Sequence, residues 1–235
     1  LGLLLWGEVG NAFRHSDLAI GRHAREWREI VLRDRNHPSI IAWVPFNESW
    51  GIEDVGQRID QQYAVHAAYH ATHALDGSRP VIGNDGWENV AGDIMTAHDY
   101  SWDPDHLVHL YGPGSTPELM RDEYTAGHRR LTAGVYSLDG KPVLLSEFGG
   151  VSFAPESDKR WFGYGTVRST DEFVDRLAAL VDAVQDSPSL AGFCYTQLTD
   201  TLQETNGLLD EHREPKADVE TLRAIISGKT VAKAT

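Results

Sequence analysis

The stretch Asn36-His37-Pro38-Ser39-Ile40-Ile41-Ala42-Trp43-Val44-Pro45-Phe46-Asn47-Glu48 decides the fold. A turn signal leads into an unbroken apolar run, and the run ends in an amide and a carboxylate side by side. An apolar run without alternation is the pattern of a strand covered on both faces, as in a parallel sheet wrapped by helices. In such sheets chemistry collects beyond the carboxyl ends of the strands, and Glu48 falls at one. A second run, Pro142-Val143-Leu144-Leu145-Ser146, also finishes in a glutamate, Glu147, before Phe148-Gly149-Gly150. Two strand-terminal glutamates point to a paired-carboxylate site.

Working outward, Leu3-Leu4-Leu5-Trp6 reads as a short buried strand with Glu8 at its exit. Ser16 is expected to cap a helix with Ile20, Ala24, Trp27 and Val31 inward, stopped by Asn36-His37-Pro38. A second helix is predicted from Glu53-Asp54 to Asp76-Gly77, with Val55, Ile59, Tyr63, Ala67 and Ala74 as its inner face. Strands over 79–83 and 93–97 follow, exiting at Asn84-Asp85-Gly86-Trp87 and His98-Asp99-Tyr100. Thr116-Pro117 opens a third helix with Leu119, Met120, Tyr124 and Leu131 inward. After the strand ending at Glu147, residues 151–168 read as a loop long enough to be functional, expected to overhang the site. Ser169 with Glu172 forms a capping-box pattern before Phe173, Leu177, Leu180, Val181 and Val184. A last strand over 190–198 and a helix from Pro215, with Val219, Leu222 and Ile226 inward, complete the pattern; 229–235 reads as a disordered tail.

That order gives six strands mostly separated by helices, which is α/β architecture with a parallel sheet. At 235 residues, with 41% hydrophobic content and seven tryptophans, the chain has the material for one large core. Acidic residues outnumber basic ones, 35 to 21, for a net charge of −14. Such a chain repels nucleic acid and anionic membranes, while a neutral sugar is indifferent to the charge. No apolar stretch reaches the roughly 20 residues of a membrane span. The single Cys194 excludes an internal disulfide and, without a signal-like segment, fits a cytoplasmic location, though it does not forbid secretion. A chain that opens mid-strand without Met is expected to be a fragment of a longer protein.

Residues 33–48, 141–150, and the tail Gly192-Phe193-Cys194-Tyr195-Thr196-Gln197-Leu198-Thr199-Asp200-Thr201 through Asn206-Gly207-Leu208-Leu209 resemble glycoside hydrolase family 2, the β-galactosidase, β-glucuronidase and β-mannosidase family. The resemblance implies a (β/α)8 TIM barrel. Residues 1–228 would then form its catalytic domain, N-terminally truncated, with the third to the eighth strand present and the first two strand-helix units missing. Eight strands close this barrel, so a six-strand arc is expected to leave two open edges.

The resemblance also implies retaining β-glycosidase chemistry acting on terminal β-linked sugars. One carboxyl protonates the leaving oxygen and the other attacks the anomeric carbon, and retention needs the two about 5 to 5.5 Å apart. The family assigns Glu48 as acid/base and Glu147 as nucleophile. Asn47 is expected to hydrogen-bond the sugar 2-hydroxyl, and Tyr100 to hold Glu147 ionised by donating to it. His98 is expected at the sugar, Asp85 on its hydroxyls and Trp87 against its face. Tyr195 stands where relatives commonly carry a Trp platform, and Gln197 exits the same strand. Within the family the expected activity is β-galactosidase, with β-glucuronidase or β-mannosidase as alternatives; no Asn-x-Lys follows Glu147 to grip a uronate carboxylate. The partner is a β-glycoside or oligosaccharide, and the family allows a homo-oligomeric full-length form with N-terminal β-sandwich domains.

His66, His70 and His73 share a helix at metal-ligand spacing but lack the zinc-protease Glu, and the helix is expected to face outward. No metal and no cofactor are therefore expected. The competing readings are a non-catalytic carbohydrate-binding fragment of a longer enzyme and, behind it, a metal-dependent hydrolase built on those histidines.

Overall fold

The computed structural model describes residues 2–124, 126–137, 140–154, 164–202 and 204–228. The predicted tail at 229–235 and the 155–163 part of the expected overhanging loop lie outside the described residues. The chain divides into two compact units, 1–98 with 121–144 and 99–120 with 145–235.

The first unit opens with β1 (Leu5–Glu8), α1 (Asp17–Asp34), β2 (Ile40–Val44) and β3 (Phe46–Asn47). β1 and β2 are parallel, with Trp6 opposite Ala42 and Glu8 opposite Val44. Leu3 and Leu4 are each 65% exposed, against the expectation of a buried opening strand. Pairing begins at Leu5, with a register shift before Trp6, so the two leucines ahead of it have no ladder to hold them against a core. Ser16 caps α1 by accepting the Ala19 N–H at 3.1 Å. The inner stripe of α1 is His23, Trp27 and Val31, with His23 in place of the expected Ala24. His23 stacks on Phe46 at 4.3 Å, and its burial pushes its pKa down.

β2 buries Ile40, Ala42, Trp43 and Val44, but Ile41 is 38% exposed, against the expectation of a strand covered on both faces. Ile40 and Trp43 belong to one apolar cluster with Trp27, Val31 and Val81, and Ala42 and Val44 to a second with Ile82 and Trp6. Pro45 then removes a ladder donor, so the expected single strand divides into β2 and β3. α2 (Ile59–Leu75) starts later than predicted, and its buried residues are Gln61, Val65 and Thr72. Of the expected face only Val55, which lies ahead of the helix, is buried; within α2 polar side chains hold inward positions. Gln61 accepts the Asp54 N–H at 2.7 Å, and Thr72 accepts Trp27 Nε1 at 2.7 Å, while Ile59 and Tyr63 lie exposed. The expected strand 79–83 reduces to single bridges, Trp43 with Val81 and Ile82 with Gly92, before β4 (Asn84–Asp85). β4 pairs in parallel with β3, aligning Asn47 with Asp85. β5 (Met95–Asp99) carries the unit to its end at His98.

A buried polar knot ties this unit together. Asp76 accepts Trp43 Nε1 at 2.9 Å, Arg79 Nη1 at 2.6 Å and both Ser78 donors, while Arg79 Nε reaches the Ile40 carbonyl at 2.7 Å. Burial acts to raise the Asp76 pKa, but the hydrogen bonds from Ser78, Trp43 and Arg79 outweigh it and hold the carboxyl below its ordinary value. Replacing Asp76 by Ala leaves four donors without their acceptor, the fully buried Trp43 indole N–H among them, and is expected to cost about 3 kcal/mol in a urea melt at pH 7. A depressed carboxylate pKa contributes stability above the unfolded value of about 4 and loses it as pH falls toward the folded value. The gap between wild type and variant therefore narrows below about pH 4. Equal stability at pH 7 would remove the knot from this account.

The second unit holds α3 (Pro104–Tyr111), β7 (Val151–Phe153), β8 (Gly165–Val167), α5 (Thr170–Gln185), β9 (Gly192–Thr196) and α6 (Val219–Ile226). α4 (Pro117–Glu123) and β6 (Val143–Gly149) run across the division. α5 follows its sequence closely: Ser169 accepts the Glu172 N–H at 3.2 Å, Glu172 accepts the Arg168 N–H at 2.8 Å, and all five predicted apolar residues are buried. α3 and α6 pack on α5. α3 went unpredicted although Asp103 caps it ahead of Pro104. α6 starts at its Asp218 cap rather than at Pro215, and it buries Leu222 and Ile225 while Val219 is exposed. The described residues thus hold nine strand segments instead of six, and their pairings close no barrel. The extra segments arise where Pro45 interrupts β2 and where β7 and β8 occupy the expected loop.

Candidate functional site

In the first unit, the chain turns sharply as β3 ends. Glu48 and Ser49 have φ of 51° and 58°, the left-handed region that non-glycine residues enter at a cost. The turn is held on both sides: Glu48 N–H donates to Asp85 O at 2.9 Å and Ser49 N–H to Asn84 Oδ1 at 3.0 Å. The Glu48 side chain, 23% exposed, meets fully buried His98, with Oε1 2.8 Å from Nδ1. The other ring nitrogen lies 3.5 Å from Asp85 Oδ2. Asp85, His98 and Glu48 thus form a chain of polar contacts running from the interior outward. Gly86, at φ 99°, lets the ring in, since a Cβ there would stand 2.6 Å from His98 Nδ1.

Asn47 and Trp87 belong to the same neighbourhood. Asn47 N–H donates to Asn11 Oδ1 at 2.8 Å, and its own amide oxygen is buried without a hydrogen-bond partner among the described residues. A buried acceptor left open is uncommon and suits a position awaiting a donor. Trp87 meets His98 edge-on at 5.9 Å. Sequence reading gave Asp85 to the sugar hydroxyls, but its carboxylate lies 1% exposed beside the histidine.

In the second unit, Glu147 lies within β6, with Phe148 and Gly149 continuing the strand beyond it. The Tyr100 hydroxyl donates to Glu147 Oε2, as the sequence predicts for that pair. Tyr100 is fixed by stacking on Tyr164 at 4.1 Å and 5°. Its neighbour Asp99 accepts the Tyr111 hydroxyl at 3.0 Å and the Ser101 N–H at 2.9 Å. The hydrogen bond from His106 to Asp99 raises the pKa of that histidine.

Tyr195 lies against Gly149, where a Cβ would come within 2.3 Å of its ring. The Val151 N–H donates to its hydroxyl at 3.2 Å, and the hydroxyl donates to Asn206 O at 3.2 Å. Burial pushes this phenol above its ordinary pKa. Its polar end is thus engaged with backbone. Gln197 donates to Asn206 Oδ1 at 2.7 Å and to Glu204 at 3.1 Å, which orders the following loop.

Sequence reading missed several residues around Glu48. Glu88 accepts Ser49 Oγ at 2.8 Å and Arg129 Nη1 at 2.9 Å, fastening the turn from behind. Asn11, which follows β1 much as Glu48 follows β3, was open to the same strand-exit argument. Arg129 gave no signal, being far away in sequence. The three histidines of α2 separate: His66 and His70 stack at 6.3 Å, while His73 bonds Asp93 at 2.9 Å. Among the described residues no helix is long and apolar enough to cross a membrane.

Residues 19–229 match the family described as glycosyl hydrolases family 2, TIM barrel domain. β-Glucuronidase of Canis lupus familiaris is 28% identical over 148 residues, covering 60% of this chain and 20% of the relative. That of Homo sapiens is 25% identical over 148 residues, covering 59% and 20%. The chain spans about a fifth of the length of these curated relatives. Their name runs against the expected β-galactosidase and toward the β-glucuronidase alternative. Among solved structures, a GH2 β-galacturonidase from Eisenbergiella tayi superposes with a TM-score of 0.69 at 17% identity, covering 99% of this chain and 42% of that one. Bacteroides uniformis β-glucuronidase 2, covalently bound to cyclophellitol-6-carboxylate aziridine, gives 0.65 at 15%, covering 92% and 27%. These two likenesses speak for the fold. With the family match running over 19–229, the chain belongs to glycosyl hydrolase family 2, as its TIM barrel domain.

Proposed function

We propose that the chain supplies the catalytic carboxylates of a retaining β-glycosidase, with Glu48 as acid/base and Glu147 as nucleophile. What carries the reading is that each of the two glutamates has its own ordered partner on the carboxylate, His98 for Glu48 and Tyr100 for Glu147. The Tyr100 phenol donating to Glu147 orients its carboxylate, as a nucleophile requires. Glu48 is carried on a strained turn and meets His98, which also borders Asp85, so its carboxyl is held at one fixed point.

In the first step Glu147 attacks the anomeric carbon while the Glu48 proton passes to the leaving oxygen, giving a glycosyl-enzyme ester and a free alcohol. In the second, Glu48 takes a proton from water, whose oxygen displaces Glu147 and releases the sugar with its configuration retained. The open amide oxygen of Asn47 suits a bond from the 2-hydroxyl, which strengthens as positive charge builds on the ring.

For the sugar, a β-linked uronide is favoured over a β-galactoside, on the names of the curated relatives. No Asn-x-Lys follows Glu147, so a uronate carboxylate has to be met by other groups. A panel of nitrophenyl glycosides offered to the full-length protein is expected to give kcat/KM for the β-D-glucuronide at least about tenfold above that for the β-D-galactoside. The reverse order returns the assignment to β-galactosidase. Hydrolysis of none of them favours the non-catalytic carbohydrate-binding reading.

A further inference from the structure

Beside Glu48 the first unit has a hollow of about 450 Å³, lined by Phe13, Arg14, Glu48, Trp50, Trp87 and Arg129 among others. Two of its walls are aromatic side chains that the fold leaves in solvent: Phe13 is 71% exposed and Trp50 45%. They come from separate loops, one following β1 and one following β3, yet their ring centroids lie 5.3 Å apart with a tilt of 33°. Two exposed aromatic rings this close form one contiguous apolar surface at the wall of the hollow. The volume lies in the range that receives one small molecule. The charges at the rim are largely accounted for: Arg129 is held by Glu88 and by the Glu53 carbonyl, each at 2.9 Å, and the Arg14 guanidinium lies 6.0 Å from the Phe13 ring centre.

We propose that this hollow is the subsite for the leaving group, and that Trp50 and Phe13 select glycosides with a planar aromatic aglycone by stacking on its ring. The inference rests on Glu48 being the acid/base, because the group that protonates the glycosidic oxygen must border the space the departing alcohol occupies. Flat apolar faces at the wall match an aryl ring better than a short alkyl group, which leaves them wet. The contact acts before the carbon–oxygen bond breaks. It therefore enters kcat/KM, which reports the step that forms the glycosyl-enzyme, and it is absent from hydrolysis of that intermediate.

The test uses the full-length protein and two substrates of the sugar that the panel selects, a β-D-glucuronide on the present reading. One is the 2-naphthyl glycoside, and the other is the glycosyl fluoride, whose leaving atom is too small to reach either ring. Trp50→Ala is expected to lower kcat/KM on the naphthyl substrate about tenfold more than on the fluoride, and Trp50→Phe to recover part of that difference. Equal losses on the two substrates, or no loss on either, overturn the inference while leaving the glycosidase reading intact. If wild type turns over no sugar of the panel, the glycosidase reading falls and the inference with it. Both rings are exposed, so truncation spares the core; should Trp50→Ala melt early, Phe13→Ala carries the same comparison.

Discussion

Exchanging Glu147 for Gln is expected to lower turnover of any aryl β-glycoside by on the order of 10⁴-fold while the melting temperature stays within a few degrees. The amide keeps the shape and can still accept the Tyr100 hydroxyl, so the local packing survives. What it lacks is the electron pair of an ionised oxygen aimed at the anomeric carbon. Without that, no glycosyl ester forms. Shortening the residue to Ala should admit azide from the same side of the sugar and yield the α-glycosyl azide, a product of inverted configuration. Wild-type turnover in the Gln variant, or the β-azide from the Ala variant, contradicts the role given to Glu147.

The companion change, Glu48→Ala, has a different signature. An acid is needed in proportion to how poorly the aglycone leaves, so kcat/KM should fall by about 10³-fold for an alkyl or unactivated phenyl glycoside and by far less for a dinitrophenyl glycoside. For the activated substrate the first step becomes the faster one, and the intermediate accumulates because no base assists water. Azide, which needs no base, should then restore kcat and give the β-azide. Equal losses across leaving groups would show that Glu48 does not donate the proton. The opposite anomers expected from the two variants separate the roles even if both lose activity.

How much of this was legible in the sequence differs between elements. α5 was readable because its cap and its apolar stripe, Phe173 to Val184, agree with what it buries. β2 was readable because nothing polar interrupts it. α2 was not, since Gln61 and Thr72 occupy the interior through hydrogen bonds that hydropathy does not register, while Tyr63 and Ile59 take the outside. His23 misled for a different reason: its imidazole, stacked on Phe46, packs like an aromatic.

The site divides along similar lines. Asn47 and Glu48 stand at the end of β3, where the sequence places them, whereas Glu147 lies inside β6, which runs on to Gly149; Tyr100 was correctly paired with Glu147. His98 was expected at the sugar, whereas its ring nitrogens contact Glu48 and Asp85. Tyr195 was expected as a platform, and its hydroxyl is tied to the backbone of Val151 and Asn206. Partners across long separations, such as Arg129 with Glu88, have no local signature. The Phe13 and Trp50 pair depends on how two loops approach one another, which periodicity does not encode.

The most direct measurement traps the intermediate. The full-length protein is incubated with a 2-deoxy-2-fluoro glycoside carrying a dinitrophenyl leaving group, digested, and its peptides weighed. This account predicts a single peptide heavier by one fluorosugar, with the modification on Glu147. A label on any other residue, or unlabelled protein that still hydrolyses the parent glycoside, would contradict it.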